Sequence, residues 1–221
     1  MKKIFVSLAA LVVAAFTTTA SAQAIMSDDS NPWRFGIQLG YNVPSFSETQ
    51  YNSTFGWNMG VSALYDTQNF IPNSYVRASV LYTRKGTDSG LDEIGSYKFK
   101  NLNSHLHYLE VPLHFGYAYE ANDLMCLIAE TGPYFAFRFS GSIRTDQTWK
   151  NNEEIEATKG DLKDYYHDLR RFDIGWGARV GVMFDKKYEV SLGYDWGLCE
   201  AIKEVSGPNL NLSINATVYF D

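Results

Sequence analysis

Histidines and carboxylates stand close together in this chain at a few spacings that chemistry could use. His105 and His107 lie two apart, so an extended backbone would project both rings from one face, the beginning of a metal site. No third ligand such as a Cys stands near them, and an interfacial pair is the expectation, with no metal. His167 lies between Asp164 and Asp168, an acid–base cluster for which no local Ser nucleophile is arranged. Gly175-Trp176-Gly177 followed by Gly181 has the outline of a dinucleotide loop. Its third glycine comes a residue late and its context is a strand, so no cofactor is expected. His114 could pair with Glu110 or Glu130, although a place in a charge network is the plainer reading.

Most of the remaining charge is periodic. Arg34, Arg77, Glu110, Glu130, Arg138, Asp173, Arg179, Glu189 and Asp195 all fall at alternate positions between apolar residues. Read with a period of two, the chain shows eight such segments, 33–41, 55–65, 76–82, 109–117, 127–139, 172–184, 188–198 and 210–220. Every second residue in them is apolar, with Thr131 and Pro133 the two imperfect positions. One alternating segment is weak evidence, whereas eight in succession predict an all-β fold with eight antiparallel strands in up-and-down order.

Two closed barrels share this pattern, a soluble one with its apolar face inward and a transmembrane one with that face outward. Volume separates them. The regular set holds several dozen apolar side chains, many aromatic, while eight strands enclose room for little more than their own inward side chains. The apolar set must therefore point outward. The lumen then receives the glycines and the nine charges, joined by His114, as a paired network that plugs the barrel, because buried charges of both signs are tolerated only when paired. Trp33, Tyr41, Trp57, Tyr65, Tyr82, Tyr117, Tyr188, Trp196 and Phe220 are expected near the two head-group levels. Trp176, in mid-strand, fits that belt poorly.

The segment spacing predicts long connections over 42–54, 84–106, 140–171 and 199–209, with short ones over 66–74, 118–123 and 185–187. That rhythm matches extracellular loops and periplasmic turns. The charged stretch from Asn151 to Arg171 reads as a solvated loop with room for a short surface helix. Cys126 and Cys199 fall at opposite ends of their segments, too far apart for a bond.

At the N-terminus, Met1-Lys2-Lys3, an apolar run from Ile4 to Phe16 and Ala20-Ser21-Ala22 have the parts of a secretory signal. The expected division is a signal peptide over 1–22 and a barrel domain over 23–221, exported to the outer membrane. A net charge of -6 argues against nucleic acid as a partner. Outer-membrane lipid, lipopolysaccharide and the barrel-insertion machinery are the expected partners, with a protein partner at the extracellular loops and a monomeric barrel.

Tyr82-Thr83-Arg84-Lys85-Gly86, Tyr108-Leu109-Glu110-Val111-Pro112-Leu113, Phe172-Asp173-Ile174-Gly175 and Gly193-Tyr194-Asp195-Trp196-Gly197-Leu198 resemble the PorT-type outer-membrane β-barrel family typical of Bacteroidota. The resemblance covers nearly all of the chain after the signal and implies an eight-stranded outer-membrane barrel, for most members without established activity. PorT itself is associated with protein secretion and gliding machinery. Asp221 after Phe220 departs from the aromatic ending common in such chains. The expected role is structural or interactive and non-enzymatic, the alternatives being a narrow channel, a component of a secretion complex, or a lipid-modifying enzyme.

Overall fold

The computed structural model describes residues 31–46, 52–67, 69–94, 97–144, 147–150, 153–155, 159–161, 171–200 and 208–220, with side chains over 31–44, 55–67, 69–86, 105–142, 171–198 and 210–220. Eight long strands form the wall: β1 (Trp33–Phe46), β2 (Asn52–Asp66), β3 (Ser74–Ile94), β4 (Tyr97–Asn122), β5 (Met125–Arg144), then β9 (Phe172–Phe184), β10 (Tyr188–Glu200) and β11 (Pro208–Phe220). Between β5 and β9 lie three short strands, β6 (Gln147–Lys150), β7 (Glu153–Ile155) and β8 (Lys159–Asp161). Each wall strand pairs antiparallel with its neighbours, and β1 pairs with β11, so the sheet closes. Closure leaves no unpaired edge to face hydrocarbon, which is what lets strands cross a membrane.

The register sets the geometry. Phe35 pairs with Ala63, Ala63 with Ala78, and Ala78 with Leu113. The same path continues through Pro133, Trp176, Trp196 and Leu210 and returns to β1 at Ser45, ten residues along. With ordinary strand dimensions, a stagger of ten over eight strands tilts each strand by about 41° and gives a backbone diameter of roughly 16 Å. Such a tube is filled by the side chains that point into it.

Parity follows the alternation. On β1, Phe35, Ile37, Leu39 and Tyr41 are exposed while Arg34, Gly36, Gln38 and Asn42 are buried, and the other seven wall strands repeat this over most of their length. Thr131, an imperfect outward position, accepts a hydrogen bond from the Trp176 indole at 2.7 Å and donates to the Gly177 carbonyl at 3.0 Å. The two polar groups on the apolar exterior thereby satisfy each other.

The connections depart from expectation in several places. The stretch 42–54 shrinks, because β1 stays paired with β11 out to Phe46 and β2 begins at Asn52, polar residues there continuing the ladder without the apolar alternation. The stretch 84–106 is a continued hairpin, β3 and β4 pairing out to Ile94 and Tyr97, because strand pairing does not need the apolar alternation that marks the membrane band. In 140–171 the described residues include β6, β7 and β8, where a solvated loop with room for a short helix over 151–171 is the expectation, and His167, Asp164 and Asp168 lie outside the described residues. At the opposite end β4 runs to Asn122, so the turn to β5 shrinks from 118–123 to Asp123 and Leu124. The β9–β10 turn holds Asp185 and Lys186 at positive φ, 49° and 52°, with the Lys187 amide donating to the Phe184 carbonyl. These are the signs of a tight hairpin turn whose twist suits its strands.

The lumen is stratified. At the end that carries Trp33 and Phe220, Leu64, Tyr75, Ala118, Cys126, Ile128, Met183 and Tyr219 pack as an apolar plug. Cys126 there is a free, buried thiol. Cys199 is at the far end of β10, ten residues beyond Glu189, whose partner Met183 also pairs with Cys126. Residues 1–30, including the expected signal, lie outside the described residues.

Candidate functional site

Immediately above the apolar plug, Arg77 of β3 reaches across the barrel. Its Nη1 and Nη2 both donate to the Glu189 carboxylate of β10, and Nη2 lies 2.7 Å from Glu130 Oε1 of β5. Each carboxylate also takes a phenol: Tyr219 donates to Glu189 at 3.0 Å and Tyr75 to Glu130 at 2.6 Å. The Tyr219 ring lies between two cations, with Arg34 and Arg77 each 5.8 Å from its centroid. A guanidinium fork held bidentate is the strong form of an ion pair, and two guanidinium nitrogens and two phenols serve these carboxylates, while Glu130 Oε2 and Arg77 Nε are buried without a hydrogen-bond partner among the described residues. His114 Nδ1 lies 3.5 Å from Glu130 Oε2 without forming a hydrogen bond, so the imidazole adjoins the layer as a neighbour.

Above the charges lies an amide layer. Gln38 donates to Asn58 and Asn215 at 3.3 and 3.2 Å, Asn58 donates to Asn42 and Asn215 at 2.8 and 3.0 Å, and Arg179 donates to Gln38 at 3.3 Å. The alternation puts Gln38, Asn58 and Asn215 on the lumen face, whereas Asn42, expected in the loop 42–54, is buried beside them because β1 continues past it. Alternation does not join these amides, because their contacts run between β1, β2 and β11 and depend on the register. Gly177 leaves room for side chains beside this level. A Cβ there would come 2.6 Å from Asp195 Oδ1 and 3.0 Å from His114 Nε2.

The upper lumen contains the remaining predicted charges. Tyr134 donates to Asp173 at 3.2 Å, Asn211 donates to Asp195 at 3.1 Å, and Arg138 is buried near them. Lys85 is here too, 4% exposed, 3.5 Å from Glu110 and 5.3 Å from the Tyr108 ring centroid. It had been assigned to the loop 84–106, and the correction has a simple cause. Lys85 keeps the parity of Arg77, Ser79, Leu81 and Thr83, which was the available signal, and it supplies a fifth cation to the five acids named above. A cavity of about 10 Å³, lined in part by Asn42, Thr83, Glu110, Arg179 and Asn211, has room for about one water. Thr83 Oγ1, Glu110 Oε2 and Asn211 Oδ1 lack protein hydrogen-bond partners there.

The predicted aromatics all point outward. Trp33, Tyr65, Tyr117, Tyr188 and Phe220 are at the plugged end, and Tyr41, Trp57, Tyr82 and Trp196 are toward the other. Trp33 and Tyr65 contact at 4.8 Å and Trp57 and Tyr82 at 5.1 Å between centroids. Among the described residues no group of three His, Cys, Asp or Glu is placed to hold a metal ion.

A closed, tilted, eight-stranded sheet with an apolar exterior, aromatic ends and a side-chain-filled polar interior defines an integral membrane β-barrel. The chain belongs to the family of the outer membrane protein beta-barrel domain, whose model matches residues 21–203, and it is an outer-membrane protein.

Solved structures of similar fold include the attachment invasion locus protein Ail of Yersinia pestis, at 12% identity and a TM-score of 0.44, over 85% of this chain and 97% of that one. Neisserial surface protein A is 14% identical with a TM-score of 0.46, over 86% and 98% of the two chains. OprG of Pseudomonas aeruginosa is 9% identical with a TM-score of 0.41, over 85% and 94%. No curated protein matches the chain.

Proposed function

We propose that this protein is a monomeric, non-conducting and non-enzymatic barrel that anchors its long hairpins at the cell surface, where they meet a protein partner. The observation that carries this reading is the Arg77 bridge to Glu130 and Glu189 lying on an apolar plug. A solute would have to break a bidentate pair and then open Tyr75, Met183 and Tyr219, each fully buried. The β3–β4 hairpin, paired out to Ile94 and Tyr97 and joined by β6, supplies the projecting surface. The motifs shared with PorT-type chains of Bacteroidota support a place in that branch. Export by a cleaved signal and assembly by the barrel-insertion machinery complete the reading.

Recording in planar bilayers tests it. The folded protein should give no steady single-channel current, and a reproducible open level would overturn the plugged lumen.

A further inference from the structure

The rim away from the apolar plug has an outward-facing flank whose chemistry the lumen reading does not use. Trp57, Tyr82, His107 and Phe139 run side by side across β2, β3, β4 and β5. Tyr82 and His107 share a hydrogen bond of 2.6 Å through Nδ1, and Phe139 contacts both rings at 5.9 and 6.3 Å between centroids. Arg84, paired in register with His107, continues the outward parity two residues beyond Tyr82 and is partly exposed. Beyond Phe139 a cavity of about 190 Å³ is lined by Phe137, Phe139, Ser140, Arg171 and the lumen-facing Arg138. Arg171 is exposed there, next to Phe172, which meets Phe137 edge-on at 5.1 Å.

Outward-facing charge at this rim is of one sign among the described side chains. Neither Arg84 nor Arg171 has an ion-pair partner among the described residues, and no described outward residue at this level is a carboxylate. The opposite rim, by contrast, exposes Asp123 and Asp185 beside Lys186. A guanidinium just beyond an apolar, lipid-facing band is at head-group height and presents the fork that matches phosphate oxygens. From β3 to β9 is three strand spacings, about 14 Å, so the two arginines would engage separate phosphates.

We propose that this flank is a binding site for the net-anionic, phosphate-bearing headgroup of a membrane lipid, with Arg84 and Arg171 on phosphate oxygens and Phe137, Phe139 and Phe172 along the acyl chains. The site is independent of whether the lumen conducts, so its test and the bilayer recording fail separately.

Native mass spectrometry of the folded protein in phosphatidylcholine nanodiscs, doped in turn with diphosphoryl lipid A, monophosphoryl lipid A or phosphatidylglycerol, decides it. The expected order of retention is diphosphoryl, then monophosphoryl lipid A, with phosphatidylcholine lost first. Arg84→Ala with Arg171→Ala should lower retention of the diphosphoryl lipid about tenfold. Arg84→Lys with Arg171→Lys, which keeps the charge and loses the fork, should fall between. Heat-modifiable gel mobility reports folding of each variant, and the lysine pair serves if the alanine pair misfolds. Equal retention by wild type and both variants, or equal retention of phosphatidylcholine, would overturn the site. Displacement of the lipid by millimolar inorganic phosphate alone would overturn the lipid as its ligand.

Discussion

Arg77 and Glu189, 112 residues apart in the chain, meet across the lumen as a bidentate pair, and the same guanidinium also reaches Glu130. One cation thus ties β3 to β5 and to β10, strands that share no backbone hydrogen bonds.

Removing Arg77 should therefore cost far more than a surface charge. Arg77→Met leaves Glu189 with a phenol and Glu130 with a phenol, the His114 imidazole 3.5 Å away and its cross-strand neighbour Arg179, and a broken buried pair costs about 3–5 kcal/mol. Arg77→Met with Glu130→Gln and Glu189→Gln removes all three charges together and should recover at least half of that loss. Urea unfolding from lipid vesicles measures both. A single variant as stable as wild type would mean that the layer contributes nothing to stability.

Gly177 makes a second, independent test of lumen packing. Gly177→Ala drives a Cβ to 2.6 Å from Asp195 Oδ1 and 3.0 Å from His114 Nε2. Overpacking of this kind costs about 1–3 kcal/mol. The same unfolding assay should show that loss, and an unchanged midpoint would mean that both side chains move aside freely.

Face, strand number and strand order were legible because a period of two is strict: one residue of slip would turn every Phe and Trp of a strand inward. Gly36, Gln38 and Asn58 could be assigned to the lumen on that ground alone, whereas Asn42 fell in the expected connection 42–54. Which lumen residues touch was not legible. Gln38 meets Asn58 and Asn215 through a stagger of ten around eight strands, a quantity that no single segment encodes. Lys85 was misplaced because the hydrophilic run Arg84-Lys85-Gly86 looks like a loop when strand ends are judged by polarity. The short strands β6, β7 and β8 carry no apolar alternation to announce them.

The turn between β9 and β10 predicts a stabilising change. Asp185 and Lys186 hold φ of 49° and 52°, and each L-residue in the left-handed region is strained by about 1–2 kcal/mol relative to glycine. A turn of this type favours Asn followed by Gly. Asp185→Asn with Lys186→Gly should raise stability by about 1 kcal/mol, offset in part by the greater freedom of glycine in the unfolded chain. A lower unfolding midpoint in vesicles would contradict the turn geometry.

Trp176 and Thr131 give the sharpest test of which face meets lipid. Both point outward at mid-strand, Trp176 is 41% exposed, and the indole donates to Thr131 Oγ1 at 2.7 Å. In hydrocarbon no water can replace that acceptor, so Thr131→Val leaves the indole N–H unpaired; in water the loss would be made good by solvent. Thr131→Val should cost about 1 kcal/mol more in the wild-type background than beside Trp176→Phe, where only its bond to the Gly177 carbonyl is lost. The resulting coupling lies between the average of about 0.6 and the maximum of about 1.7 kcal/mol found for side-chain hydrogen bonds inside membranes. A coupling of zero in lipid vesicles would show that solvent reaches this pair, and an apolar band wetted at its middle is not a membrane-spanning face.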